Sequence, residues 1–182
     1  MQVVGISGSL RPGSYNRALL HAAAAELPRG ARLELLDRLG ELPFYDEELD
    51  VASTPAAAVA LRETLVAADA VLIATPEYNG SLPAVLKNAL DWASRPFPGN
   101  CLRGKRVAVV GASTGLFGAA WAQAEARKVL NVLGASVLVA EVRIPMAHAA
   151  FDDDGRLLDP AHVAALRALV RELVGGEARF AA

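Results

Sequence analysis

Three short segments of this 182-residue sequence combine glycine, hydroxyl and amide groups in patterns that suit anion and ring binding. The first segment runs from Gly8 to Asn16 and contains Ser9, Arg11 and Ser14. Hydroxyl and backbone N–H groups hold anions well at a helix start, where the helix dipole is positive, and an arginine neutralises a phosphate. The segment therefore predicts a phosphate site. The alternative is an ordinary capping turn with Ser14 as the N-cap.

The second segment runs from Thr75 to Pro83. Two prolines stiffen it, whereas Asn79-Gly80 permits a turn with positive φ. A rigid loop with exposed backbone amides suits a flat heteroaromatic ring that is recognised through hydrogen bonds. The alternative is a stiff connection in which Tyr78 merely packs.

The third segment, Gly111 to Gly118, is rich in small residues and includes Ser113, Thr114 and Gly115. Small side chains allow a ligand to approach the backbone closely. Tight packing of a helix on a strand produces the same composition, so this segment is a weaker indication of a site than the other two.

Other site chemistries find little support. The glycines of the first segment form neither a G-x-G-x-x-G fingerprint nor a Walker A loop. The histidines, His21, His148 and His162, are scattered, which does not favour a Ser-His-Asp arrangement. The single Cys101 makes neither an internal disulfide nor a thiolate cluster. We therefore predict no side-chain nucleophile and no metal site.

The elements that must position these segments alternate between β-rich and helical runs. The predicted strands are Gln2–Ser7, Arg32–Asp37, Ala70–Thr75, Arg106–Ala112 and Ser136–Val142. The predicted helices are Tyr15–Glu26, Pro55–Ala67, Pro83–Ala93, Ala119–Leu133 and Pro160–Leu173. Thr54 and Asp159 each precede a proline and are predicted N-caps, and Gly134 and Gly175-Gly176 are predicted helix ends.

Three of the strands read as nearly continuous apolar runs, which is typical of a parallel sheet covered on both faces. Each of the three segments follows such a strand. Ligands of open α/β sheets bind beyond the carboxyl ends of the strands, where the sheet order reverses. The three segments are therefore expected to meet in one place.

Composition limits the remaining possibilities. A net charge of -2 does not favour a nucleic-acid binder, and one cysteine indicates a reducing, cytoplasmic setting. No apolar run approaches the roughly 20 residues that span a bilayer. We expect one domain over residues 1–182, surface loops at Gly40–Thr54 and Pro145–Asp159, and a frayed tail from Glu177 to Ala182.

The first two segments together resemble those of NAD(P)H-dependent FMN reductase-like flavoproteins, a family of quinone, azo and chromate reductases. The resemblance lies in Gly8-Ser9-Leu10-Arg11 with Ser14 and Asn16, and in Pro76-Glu77-Tyr78-Asn79-Gly80-Ser81 followed by Pro83, Leu86-Lys87-Asn88 and Asp91-Trp92. It extends from about Met1 to Val142. The third segment departs from the family pattern, because Thr114 and Gly118-Ala119 replace the usual glycines. Their side chains would narrow the ring pocket.

The resemblance implies an α/β, flavodoxin-like three-layer sandwich with a five-stranded parallel sheet in the order 2-1-3-4-5. It also implies non-covalent FMN, with NADPH or NADH as the electron donor and a small molecule as the acceptor. The residues it assigns to FMN are Ser9, Arg11, Ser14, Tyr15 and Asn16 at the phosphate, Pro76, Glu77, Tyr78, Asn79 and Gly80 around the isoalloxazine ring, and Ser113, Thr114 and Gly115 in the third segment.

Family members are usually homodimers or homotetramers with the flavin close to a subunit interface. This makes Tyr78 and Arg127 candidate interface residues, although Arg127 is equally a candidate solvated helix residue.

Two other functions stay open at this stage. One is a flavodoxin-type electron carrier that holds FMN without NAD(P)H turnover, which the mild net charge disfavours because such carriers often dock through acidic surfaces. The other is an FMN-free phosphate or nucleotide binder that uses the first segment only. The sequence does not identify the acceptor, and quinones, flavins, azo compounds and metal oxyanions all fit.

Overall fold

The computed structural model describes residues 1–175, and the expected fraying of the tail lies outside them. The strands are β1 (Gln2–Ser7), β2 (Arg32–Leu36), β3 (Ala70–Thr75), β4 (Arg106–Ala112), β5 (Ser136–Val137) and β6 (Val142–Ile144). The helices are α1 (Tyr15–Ala25), α2 (Glu47–Ser53), α3 (Ala56–Ala67), α4 (Ala84–Ala93), α5 (Ala120–Val132), α6 (Ala147–Ala150) and α7 (Pro160–Val174). Each of the ten predicted elements is present, within a few residues of its predicted bounds except at the last strand.

All strand pairs are parallel, and the order is β2-β1-β3-β4-β5, with β6 also paired to β4. The flavodoxin-like order predicted from the sequence is confirmed. The side chains of the sheet alternate between two buried clusters, one under α1 and α7 and the other under α3, α4 and α5. Helices therefore cover both faces, which explains why β3 is buried at all six positions.

The predicted strand Ser136–Val142 is wrong as a single element. Its two ends pair separately with β4 as β5 and β6. Between them, the Arg127 guanidinium from α5 donates to the carbonyl of Val109 on β4 at 3.0 Å and to that of Ala140 at 3.1 Å. The arginine thus takes the place of ladder hydrogen bonds and interrupts the fifth strand.

Arg127 is consequently not a solvated helix residue. It also forms an ion pair with Glu141, and its side chain is only 12% exposed. Burial lowers the pKa of the guanidinium, but the neighbouring Glu141 carboxylate acts in the opposite direction and favours the charged form.

The two expected surface loops contain short helices. Residues 40–54 include α2, whose N-cap Asp46 accepts from the amides of Glu48 and Leu49. The predicted capping role of Thr54 is wrong, because its hydroxyl donates back to the Asp50 carbonyl at 2.8 Å and helps to end α2. Residues 145–159 include α6.

The other predicted helix signals hold. Asp159 caps α7 by accepting from the Ala161 amide, and Gly134 has a φ of 79° just after α5. Gly175 ends α7 as predicted, while Gly176 lies outside the described residues. Over residues 1–175, no helix has the length and apolar character needed to cross a membrane.

Candidate active site

A cleft of about 340 Å³ lies at the carboxyl edge of β1, β3 and β4. It spans the position where the sheet order reverses, which is where open α/β sheets bind ligands. The first, second and third segments all contribute residues to it. Its lining consists of Ser9, Arg11, Ser14, Tyr15, Asn16, Pro76, Glu77, Tyr78, Ala112, Ser113 and Thr114.

Most of the predicted site residues therefore come together. The exceptions are Asn79, Gly80 and Gly115, which are exposed and do not line the cleft. Ala112 also lines the cleft and is not among the predicted site residues. Its position at the end of a buried strand, directly before Ser113, indicates that it lies at the cleft.

The first segment forms a compact turn at the start of α1. The Ser9 hydroxyl accepts from the Arg11 amide at 3.3 Å. The Ser14 hydroxyl accepts from the Asn16 amide at 3.2 Å, so the predicted alternative of a Ser14 N-cap is confirmed. Both hydroxyl hydrogens can still be donated to a ligand, and the exposed Arg11 stands beside them. A capping turn and an anion site are therefore compatible here.

Asn16 has a structural function in addition to its place in the lining. Its Nδ2 donates to the Ala112 carbonyl at 2.9 Å, and its Oδ1 accepts from the Ala112 amide at 2.9 Å. The side chain is almost fully buried. These two bonds join the first segment to the end of β4 and leave one Nδ2 hydrogen for any ligand.

The second segment forms a tight hairpin. Tyr78 and Ser81 exchange two backbone hydrogen bonds of 3.1 and 3.2 Å. Asn79 and Gly80 between them have φ values of 55° and 74°, the positive values predicted for this pair and required by a two-residue turn of this kind. The turn leaves the Tyr78 ring half exposed beside the cleft.

Two carboxylates join this hairpin to α5. Glu77 Oε2 accepts from the amides of Trp121 at 2.9 Å and Ala122 at 3.1 Å. Glu125 Oε2 accepts from the Ser81 hydroxyl at 2.6 Å and the Leu82 amide at 3.0 Å. The bonds from Ser81 and Leu82 lower the pKa of Glu125.

The third segment packs closely against its neighbours. A Cβ added to Gly111 would lie 2.9 Å from the Thr75 carbonyl oxygen and 2.8 Å from Nε2 of Gln123. The small residue therefore reflects tight packing as well as ligand access. Ala119 is buried under this turn, so of the two departures from the family pattern only Thr114 lines the cleft.

The segment after β6 supports this third turn. Ala147 donates to the Ser113 carbonyl at 2.9 Å and Met146 to the Gly115 carbonyl at 3.0 Å. His148 is exposed in the same segment and does not line the cleft, and His21 is likewise exposed on α1.

The residues of α4, which follow the second segment, support the fold next to the site. Lys87 and Asp91 form an i,i+4 ion pair at 2.6 Å, and Trp92 is fully buried. Asn88 and Trp92 both donate to the Pro43 carbonyl, at 2.9 and 2.8 Å. These residues thus fix the loop that leads into α2.

The cleft residues fit FMN. One end offers two hydroxyl groups and a guanidinium at a helix start, which suits a phosphate. The other end offers a proline-stiffened loop, an aromatic ring and small residues, which suits a flat ring system. The volume lies within the range of roughly 300–1,000 Å³ that is usual for ligand pockets.

Fold and cleft together define a flavodoxin-like α/β protein with a candidate ligand site at the switch point of its sheet. Residues 1–149 match the family described as NADPH-dependent FMN reductase, and the chain belongs to that family.

Individual relatives agree with this assignment. The chain is 50% identical over 160 residues to an NAD(P)H-dependent FMN reductase of Pseudomonas aeruginosa, covering 87% of this chain and 85% of the relative. It is 42% identical over 133 residues to a 2-hydroxy-1,4-benzoquinone reductase of a Burkholderia species, covering 73% and 72% of the two chains. Among solved structures, the flavoenzyme NAD(P)H:(acceptor) oxidoreductase FerB of Paracoccus denitrificans superposes with a TM-score of 0.86 at 36% identity, over 95% of this chain and 94% of that one.

Proposed function

We propose that this protein is an oxidoreductase that takes electrons from NADPH or NADH and delivers them, by way of non-covalent FMN, to a small acceptor. The observation that supports this most directly is a cleft at the switch point of the sheet that brings the hydroxyl groups and the guanidinium of the first segment together with the proline-stiffened loop of the second. Relatives named as FMN and quinone reductases, at up to 50% identity, point to the same activity.

The cofactor supplies the redox chemistry, and the protein binds and orients it. Ser9, Arg11 and Ser14 would hold the phosphate at the start of α1, with Tyr15 and Asn16 beside them. Pro76, Glu77 and Tyr78 would border the ring from the hairpin, and Ser113 and Thr114 from the opposite turn. Asn79, Gly80 and Gly115 would shape these turns rather than contact the ring, since they lie outside the lining.

A quinone is the acceptor class that we favour. The relative at 42% identity is named as a reductase of a hydroxylated benzoquinone, and three further relatives from Pseudomonas putida and Escherichia coli are named quinone reductases. The half-exposed Tyr78 ring offers a flat apolar surface for such a molecule.

The protein is further proposed to be a single-domain cytoplasmic homo-oligomer. Phe117 and Trp121 stack edge to face with ring centroids 4.9 Å apart, yet each is more than half exposed. Leu116 beside them is 72% exposed. Adjacent exposed apolar side chains of this kind mark an interaction site, and we propose a second copy of the chain as the partner that covers it.

The test is an absorbance spectrum of the purified protein with FMN, taken before and after anaerobic addition of NADPH or NADH. Bound flavin whose absorbance is bleached by a nicotinamide donor and recovers on addition of a benzoquinone supports the proposal. Bound flavin that neither donor bleaches indicates an electron carrier instead. A protein that binds no FMN contradicts the proposal altogether.

A further inference from the structure

The Tyr78–Ser81 hairpin has few hydrogen bonds of its own, and the first turn of α5 has no capping side chain at its N-cap residue. A two-residue hairpin held by one pair of backbone bonds is marginally stable in water. Helix α5 starts from Ala119, which adopts a left-handed conformation with a φ of 61° and has no side chain that accepts from the first free amides.

A carboxylate from each element accepts hydrogen bonds from the other element. Glu77, at the base of the hairpin, accepts from the Trp121 and Ala122 amides and replaces the missing N-cap of α5. Glu125, in the second turn of α5, accepts from the Ser81 hydroxyl and the Leu82 amide and secures the far side of the hairpin. Both sets of bonds are charge-assisted, and a carboxylate is favourable at a helix N-terminus.

We infer that Glu77 and Glu125 are positioning residues that form a reciprocal carboxylate brace and set where the Tyr78 side of the cleft stands. The inference rests on the proposed function, because it concerns the wall that borders the cofactor ring and the acceptor. It also assigns Glu77 a side-chain task separate from ring contact.

Glu125 makes the inference testable, since it does not line the cleft. If Glu125→Ala alters ligand binding in the cleft, the effect is indirect, and the hairpin to which Glu125 bonds is the connection that we propose. Ser81→Ala removes one of the two donors to the same carboxylate and should give the same effects in weaker form. Glu63→Ala, on the exposed surface of α3, is the matched control for loss of a helical carboxylate.

The first readout is residue-resolved amide hydrogen exchange in the protein without FMN. Glu125→Ala is expected to accelerate exchange at Leu82, Trp121 and Ala122 by about tenfold, since loss of about 1.4 kcal/mol of local protection corresponds to that factor. Acceleration at Trp121 and Ala122 in Ser81→Ala is decisive, because Ser81 lies outside α5 and does not bond to those amides.

The second readout is kinetic. Glu125→Ala is expected to raise the KM for the acceptor about fivefold while kcat changes less than about twofold, the pattern of lost binding without lost chemistry. Glu125→Gln retains an oxygen that can accept both bonds and should recover most of the KM. It also keeps the test available if the alanine variant does not fold.

Glu125 variants that lower only the unfolding midpoint, with exchange at Trp121 and the KM both equal to those of Glu63→Ala, would overturn the inference. This failure is distinct from failure of the proposed function. If the unmodified protein binds no FMN the function is wrong, yet the exchange data on the FMN-free protein still decide whether the brace exists.

Discussion

The side-chain amide of Asn16 and the backbone of Ala112 exchange two hydrogen bonds of 2.9 Å across 96 positions of sequence. The pair is buried and joins the predicted phosphate turn to the end of β4. One asparagine therefore sets the distance between two of the three loops that form the cleft.

We expect Asn16→Ala to destabilise the protein by about 2 kcal/mol, because the buried amide and carbonyl of Ala112 lose their partners. FMN affinity should fall as well, since the two loops are no longer held together. Urea unfolding and fluorescence titration with FMN measure the two effects. Asn131→Ala, at an exposed position of α5, is the control, and equal stability of the two variants would contradict the prediction.

A second prediction concerns Asp50 and Arg62, whose side chains are 11% and 18% exposed. Hydrogen bonds of 2.8 and 2.7 Å from the Arg62 guanidinium lower the pKa of Asp50 from its ordinary value of 3.8, against the opposing effect of burial. Since the folded-state pKa lies below the unfolded one, this stabilisation is complete above pH values near 4 and is lost as the pH falls through the folded-state pKa.

Asp50→Asn should therefore lower the free energy of unfolding by about 2 kcal/mol at pH 7 and by clearly less at pH 3. The measurement is the free energy of unfolding in urea at several pH values for both proteins. Asp153→Asn, at an exposed position, should show neither effect. If Asp50→Asn lowers the free energy of unfolding by the same amount at every pH in this range, the stabilisation does not depend on ionisation of the Asp50 carboxylate and the prediction is wrong.

The sequence predicted the sheet order and the convergence of the three segments because both depend on local patterns. Apolar runs identified the buried strands, and the segments after β1, β3 and β4 had to meet at one edge once those strands were parallel. The turn at Asn79-Gly80 was predictable for the same reason, since these two residues tolerate positive φ.

The features that the sequence did not predict depend on contacts between residues that are distant in sequence. The break between β5 and β6 requires that Arg127 reach both Val109 and Ala140, and nothing in the alternation of residues 136–142 indicates it. The capping of α5 by Glu77 is a contact over 44 positions between the loop after β3 and the first turn of α5. Thr54 matched the capping pattern, but its hydroxyl donates to the Asp50 carbonyl in the preceding helix instead of capping α3.

A third prediction separates the phosphate end of the cleft from the ring end. Arg11→Ala should weaken FMN binding by about tenfold, equivalent to about 1.4 kcal/mol, because a charge-assisted contact to the phosphate is lost. Riboflavin has the same ring without the phosphate, so its affinity should not change. The measurement is the Kd of each ligand by fluorescence quenching.

Arg29→Ala removes an exposed arginine outside the cleft and should leave both affinities unchanged. The assignment of Arg11 to the phosphate would be wrong if its loss weakened riboflavin and FMN binding by the same factor.

The last prediction concerns the exposed apolar surface formed by Leu116, Phe117 and Trp121. We expect Phe117→Arg to lower the molar mass measured by light scattering from that of an oligomer to that of the 19.0 kDa chain, because a buried guanidinium without a partner opposes association. Val66→Arg introduces the same charge at a 65% exposed position of α3 and should leave the mass unchanged. If the mass of Phe117→Arg also stays at the oligomeric value, the interface lies on another surface, and the exposed aromatic pair has to be assigned to ligand contact at the mouth of the cleft.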